Sequence, residues 1–256
     1  MSKCLAAVAA VAMYASAAQA DIVALTGNNT LAMIDSKSGK VTAKTKIDGL
    51  GPVLGIDVRP ADGMLYALAA DGTIATVDAK TGKATVKSKL DTAPPSGVKV
   101  IVDFNPVADR LRIIGADGTN LRANVDDGKV TKDGTLKFAD GDAANGKSPM
   151  VVAAGYSNSM KGAKETTLYD IDAALGGLFR QVPPNDGILN TIGALGVDAK
   201  SASFDIRSDG AGGNTAMLVA GKMLYSVDLA SGKTAGAKTL SGLPGEVNDI
   251  AIMPAM

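Results

Sequence analysis

Beyond residue 20 the chain is written in short apolar runs separated by clusters of Asp, Gly, Ser, Thr and Pro. No stretch sustains the 3.6-residue period of an amphipathic helix, and the runs have strand length. One pattern recurs: an apolar-Asp-apolar segment, a turn, then two or three short apolar runs. Its copies are Gly55-Ile56-Asp57-Val58-Arg59-Pro60, Ile101-Val102-Asp103-Phe104-Asn105-Pro106, Ala154-Gly155-Tyr156-Ser157-Asn158, Ser203-Phe204-Asp205-Ile206-Arg207 and Val247-Asn248-Asp249-Ile250-Ala251-Ile252. The third is degenerate, with Gly155 in the aspartate's place. The centres at 57, 103, 155, 205 and 249 are 46, 52, 50 and 44 residues apart.

The first full unit displays the complete pattern. After its leading segment, residues 64–69 read as a strand, Asp71-Gly72 as a hairpin turn, and residues 73–77 and 83–89 as two more strands. The turn Asp78-Ala79-Lys80-Thr81-Gly82 has relatives at Asp35-Ser36-Lys37-Ser38-Gly39 and Asp228-Leu229-Ala230-Ser231-Gly232, with a shorter form at Asp126-Asp127-Gly128. In such a turn Asp accepts a backbone hydrogen bond and Gly takes the positive φ. Four short strands per unit is the size of a propeller blade. The last copy, residues 246–253, has no strands after it, whereas residues 21–46 contain three strands and no leading segment. Joined, they complete a fifth blade. The pattern therefore predicts an all-β chain, a five-bladed β-propeller with one blade shared between the N- and C-termini. A β-sandwich or open solenoid shares the turn spacing, but the complementary ends favour a ring.

Composition adds a compartment. Residues 1–20 read as a signal peptide: Lys3 is its only charge, an apolar stretch too short to span a membrane comes next, and Ala18-Gln19-Ala20 is a small-x-small cleavage site. The expected organisation is a signal peptide at 1–20 and a single propeller-like domain at 21–256, periplasmic or secreted, with no membrane insertion after signal removal. Residues 21–256 contain no Cys, His or Trp. An exported chain without cysteine cannot use disulfides, so burial and strand pairing must stabilise it. Acid and base nearly balance, so no basic field favours nucleic acid. The acidity is almost all Asp, with glutamate only at 165 and 246, as suits turns rather than helices.

Two groups of residues are candidates for chemistry. The first strand of each propeller blade lines the central channel, so Asp57, Asp103, Asp205 and Asp249 are predicted to gather around it. Like charges in a low-dielectric channel repel, and a hard cation such as Ca²⁺ would relieve them. Alternatively, each caps a turn or accepts a neighbouring backbone amide. The second group is Arg110, Arg112, Asn120, Arg122 and Asn124. Alternation puts Arg110 with Arg112 on one strand face, and Asn120, Arg122 and Asn124 on one face of the next. Such a face suits a carboxylate or phosphate ligand. It equally suits arginines that pair with blade aspartates and lock adjacent blades. The loop Asp140-Gly141-Asp142-Ala143-Ala144-Asn145-Gly146 offers three oxygen side chains but lacks the spacing of an EF-hand. Pro183-Pro184-Asn185-Asp186-Gly187 reads as a rigid connecting turn.

Without His or Cys, Ser-His-Asp and Cys-His catalysis and ordinary zinc or copper sites are excluded. A glycosidase needs only two carboxylates, yet the expected mature chain offers few aromatic platforms for sugar.

These motifs, in order, resemble an uncharacterised family of secreted, mostly bacterial proteins, domain of unknown function 4394. The resemblance is carried by residues 55–60 with Leu65-Tyr66, by Val102-Asp103-Phe104-Asn105-Pro106 with Asp109-Arg110-Leu111-Arg112, and by Asn120-Leu121-Arg122, Gly141-Asp142 and residues 151–158. Thr166-Thr167-Leu168-Tyr169 with Ile171-Asp172, Pro183-Pro184-Asn185-Asp186-Gly187 and Leu195-Gly196-Val197-Asp198 complete it. The chain departs from the family in a lysine-rich stretch at 129–137 and in its few aromatics. The resemblance implies an extracytoplasmic β-repeat domain and supplies no activity to carry over. The expected function is a non-enzymatic binding or interaction module for a small molecule or protein. The alternative is a cation-dependent hydrolase that uses the channel aspartates.

Overall fold

The structure is a computed structural model that describes residues 21–254. The expected signal peptide lies outside the described residues. The described strands form five small sheets whose first strands stand side by side around an axis, making a five-bladed β-propeller. Blade 1 runs Val53–Val58, Leu65–Ala69, Thr73–Val77 and Ala84–Lys89 from the axis outward. Blade 2 runs Val100–Asn105, Arg110–Gly115, Asn120–Ala123 and Val130–Lys132, and blade 4 runs Ala202–Ser208, Asn214–Ala220, Met223–Val227 and Thr234–Thr239. Blade 5 is the shared one. Val247–Ile252 is its inner strand and pairs antiparallel with Asp21–Thr26, after which come Thr30–Asp35 and Lys40–Lys46.

Blade 3 differs from the predicted pattern. Its strands Val151–Tyr156, Leu168–Asp172, Gly177–Gln181 and Ile188–Ala194 gain a fifth, Lys137–Phe138, paired parallel to the outermost. The physical reason lies just upstream. Asp133 is held by Arg112 and Arg122, and the Gly134 amide donates to the Asn185 carbonyl of blade 3 at 2.9 Å. The chain is thereby turned out of blade 2 after the three-residue strand Val130–Lys132, and Leu136 and Phe138 enter the core between blades 2 and 3.

The apolar core is divided into five clusters, one for each seam between blades. No blade buries both its faces alone, so each depends on its neighbours. The outer strands are mostly exposed and carry Lys44, Lys46, Lys87, Lys89 and Lys238. Charge on these edges disfavours pairing with another chain.

The glycine-ended turns at the perimeter do more than reverse the chain. A Cβ on Gly39, Gly82, Gly128 or Gly232 would collide with a backbone carbonyl of the preceding blade, and one on Gly187 with carbonyls of the segment leaving blade 2. In four of these the glycine's own carbonyl accepts an amide from that neighbour: Ser241 to Gly39, Asp48 to Gly82, Asp91 to Gly128 and Lys137 to Gly187, all at 2.9–3.0 Å. Glycine is thus required twice, for φ and for close approach. Turns lace the perimeter, and aspartates lace the axis.

Candidate functional site at the channel axis

Each repeat aspartate sits near the middle of an inner strand and reaches toward a neighbouring blade. Asp57 accepts the Phe104 amide of blade 2 at 2.7 Å, and Asp103 accepts the Tyr156 amide of blade 3 at 2.9 Å. Asp205 accepts the Ile252 amide of blade 5 at 2.5 Å, and Asp249 accepts the Ile56 amide of blade 1 at 2.9 Å. The second oxygen of Asp57, Asp205 and Asp249 accepts the amide of the following residue in its own strand. Four of the five seams are therefore latched by a carboxylate. The fifth, between blades 3 and 4, is where Gly155 replaces the aspartate. A Cβ there would stand 3.2 Å from Ile206 Cγ1, so glycine lets the blade 4 strand pack closely. That seam is filled by an apolar cluster including Ile171, Leu178, Phe204 and Leu218.

The latches also converge. One carboxylate oxygen from each of Asp57, Asp103 and Asp205 lies within 4.8 Å of the other two. Asp249 lies outside this triad. All four side chains are buried. Burial, then the charges of Asp205 and Asp249, pushes Asp57 well above the usual carboxylate range. Burial, then Asp57 and Asp205, does the same to Asp103. Burial raises Asp205 to about 6 and Asp249 to about 7 against the opposing pull of the backbone amides. Carboxylates gathered in this way repel one another when ionised, and a proton or a cation among them relieves that repulsion.

The two ends of the axis are chemically different. The C-terminal ends of the inner strands surround a pocket of about 350 Å³ whose lining includes Asp57, Asp205, Lys161, Arg207 and Asp209. The N-terminal ends surround another of about 370 Å³ that includes Lys99 and Lys200. Asp57 and Asp205 at the first mouth are legible in the repeat, whereas Lys161, Lys99 and Lys200 are not, because they fall in connecting segments without a repeated motif.

Of the arginine group, Arg112, Asn120 and Arg122 are drawn together around Asp133 where blade 2 meets blade 3. Arg112, wholly enclosed, pairs with Asp133 at 2.5 Å and donates to Asn120 at 2.8 Å, the Tyr156 hydroxyl at 3.1 Å and Asn185 at 2.9 Å. Arg122 pairs with the same Asp133 at 2.7 Å. Asn120 donates to the carbonyls of Gly134 and Pro184. The carboxylate this face holds is internal to the chain. Arg110 and Asn124 make local turn contacts, Arg110 donating to the Ala108 and Asp109 carbonyls and Asn124 accepting the Asp126 amide. An analogous clamp joins blades 1 and 2, where Arg59 pairs with Asp109 at 2.6 Å and Asp126 at 3.0 Å. The locking partners are turn aspartates rather than the axial ones. The Pro183–Gly187 turn is more than a connector, since Asn185 and Pro184 dock on this network. In the 140–146 loop, Asp142 accepts from the amide and hydroxyl of Thr191.

Asp170 stands apart. It is completely buried in the second strand of blade 3, and neither carboxylate oxygen has a hydrogen-bond partner. Burial pushes it up to about 8, with Arg112 pulling the other way.

A protein-family profile described as a domain of unknown function (DUF4394) matches residues 30–251. No curated protein matches the sequence. Among solved structures, a protein of unknown function from Bacteroides thetaiotaomicron is similar with a TM-score of 0.53 at 16% identity, covering 94% of this chain and 68% of that one. A protein of unknown function from Bacteroides caccae has a TM-score of 0.42 at 11% identity, covering 89% and 75%. The computationally designed Ika8 protein has a TM-score of 0.40 at 15% identity, covering 89% and 63%. The first of these likenesses speaks to fold alone.

Proposed function

The chain belongs to the DUF4394 family, a membership that supplies no activity, and we propose that it is an exported, non-enzymatic recognition module. Its ligand enters the channel mouth floored by Asp57 and Asp205. The observation that carries this reading is the convergence of Asp57, Asp103 and Asp205 within 4.8 Å, with Asp57 and Asp205 in the lining of a pocket of about 350 Å³. A buried, like-charged triad open to a mouth favours a ligand that brings positive charge. A hard divalent cation such as Ca²⁺ is the simplest, because it accepts carboxylate and carbonyl oxygens in flexible geometry. Lys161, Arg207 and Asp209 at the rim would then engage an anionic or polar partner of that cation. Export rests on the signal-like residues 1–20, periplasmic or secreted destinations both being open to it.

The hydrolase alternative is the weaker reading. Asp57, Asp205 and Asp249 each spend both carboxylate oxygens on backbone amides, which suits holding a charge better than moving a proton.

Thermal unfolding of metal-stripped protein with increasing Ca²⁺ tests the proposal. A midpoint that climbs with concentration in the wild type, and stays flat in Asp103→Asn and Asp205→Asn, supports a cation at the axis. A flat wild-type response overturns it. The aspartates would then be latches only, and recognition would fall to the loops.

A further inference from the structure

The opposite mouth carries a different and independent signal. Lys99 precedes the inner strand of blade 2, and its ammonium crosses the mouth to donate to the carbonyl of Ala202 in blade 4. Among the described residues it forms no ion pair. Asp249 is near enough to favour its charge, yet burial dominates and pulls the Lys99 pKa down. An ammonium has three donors, and one carbonyl occupies one of them. A partly buried ammonium with donors to spare gains from a further acceptor, beyond what Asp249 supplies at a distance.

The pocket around it has a shape for such an acceptor. It encloses about 370 Å³, with Val53, Leu54, Val98 and Val247 as an apolar wall and Lys200 as a second cation at the rim. Asn28 and Asn248 stand beside it, although Asn248 already donates to the Gly27 carbonyl. Glu246, also in the lining, disfavours a highly charged anion there. A monoanion with an apolar body matches these features better than a bare polyanion does.

We infer that the Lys99 mouth is a second binding site, which takes a small carboxylate whose charged end meets the Lys99 ammonium and whose apolar body lies on Val53, Leu54, Val98 and Val247. It stands or falls separately from the carboxylate triad at the other end.

Butyrate is the probe, with inorganic phosphate as the bare-anion comparison, both titrated at constant ionic strength and followed by thermal unfolding. Butyrate should raise the wild-type midpoint and phosphate should not. In Lys99→Met the apparent affinity should fall on the order of tenfold or more, while Lys44→Gln on the exposed outer strand of blade 5 should leave it intact. No response to butyrate, an equal response in Lys99→Met, or an equal response to phosphate would overturn the site. Should Lys99→Met fail to fold, ¹³C NMR of the wild-type Lys99 Cε settles the matter: it shifts on butyrate addition if the site is real and stays in place if not.

Discussion

Asp249 and Ile56 are 193 positions apart in sequence, yet the Asp249 carboxylate accepts the Ile56 amide at 2.9 Å. This bond latches the C-terminal inner strand to the first blade, across a seam also packed by Val23, Leu25, Ile56 and Ala251. A buried bond to a charged or partly charged acceptor contributes more than a neutral one. Asp249→Ala is expected to destabilise by about 1.5–3 kcal/mol, since it leaves the Ile56 amide without its acceptor. Chemical denaturation of the two proteins measures this, and a loss below a few tenths of a kcal/mol would show that the latch is dispensable.

Closure has a larger consequence when the whole strand is lost. Removing residues 246–256 takes away Val247–Ile252, the partner of Asp21–Thr26, and exposes Ile22, Ala24 and Val219 in the core between blades 4 and 5. Because every seam depends on the ring, the expected result is cooperative loss of folding rather than fraying at one end. Circular dichroism and a melting curve decide it. An unchanged melting temperature would sink the shared-blade closure as a source of stability.

The axial carboxyls give an unusual pH dependence. Asp205 and Asp249 are raised to about 6 and about 7, and Asp57 and Asp103 are raised as well. A raised folded-state pKa means that the folded protein binds protons the unfolded chain has released. The associated stability is fully present below the unfolded value near 3.8 and is lost as pH rises through the folded values. Metal-free protein should therefore become less stable from about pH 4 to about pH 8. The turn aspartates act in another window. Asp35, Asp78 and Asp228 are lowered, chiefly by bonds from the Ser or Thr of their own turns, so their contribution fades only below about pH 4. Asp103→Asn removes one charge from the triad and should flatten the upper slope. Equal slopes in wild type and variant would show that the triad does not titrate in this range.

Much of this architecture is legible in the sequence, because the devices that build it are local and repeated. The alternating apolar runs, the Asp-x-x-Ser/Thr-Gly turns and the complementary ends all read directly, and the aspartate in four of the five inner strands marks the axis. The convergence of Asp57 and Asp103 reflects their equivalent places in the repeat. The odd parts are those where the repeat lapses. Lys137–Phe138 joins blade 3 because Asp133 and Gly134 are seized by groups on other strands and turns, and no local pattern announces that. Lys99 lies in an unpatterned loop, so its reach to Ala202 depends wholly on ring geometry. Periodicity also shows that Arg110 shares a face with Arg112, and Asn120 with Arg122 and Asn124. It cannot show that blade 3 covers Arg112 and Asn120, with Asp133 from their own chain as the carboxylate.

That covered face yields the last prediction. Arg112 is 1% exposed and bridges Asp133, Asn120, Tyr156 and Asn185 across the seam between blades 2 and 3. Arg112→Ala leaves Asp133 buried with only Arg122 as its cation, and removes the charge that pulls on the unpartnered Asp170. Breaking a buried pair by removing one member costs about 3–5 kcal/mol. Arg112→Lys should recover little, because an ammonium cannot reproduce the planar fork that reaches four partners at once. The double variant Arg112→Met with Asp133→Leu removes the two enclosed charges, leaves the more exposed Arg122 to solvent, and should be less harmful than Arg112→Ala alone, as apolar replacement of a buried pair often is. Urea unfolding of the three proteins orders them. If Arg112→Lys were as stable as the wild type, the guanidinium geometry would not be what holds this seam.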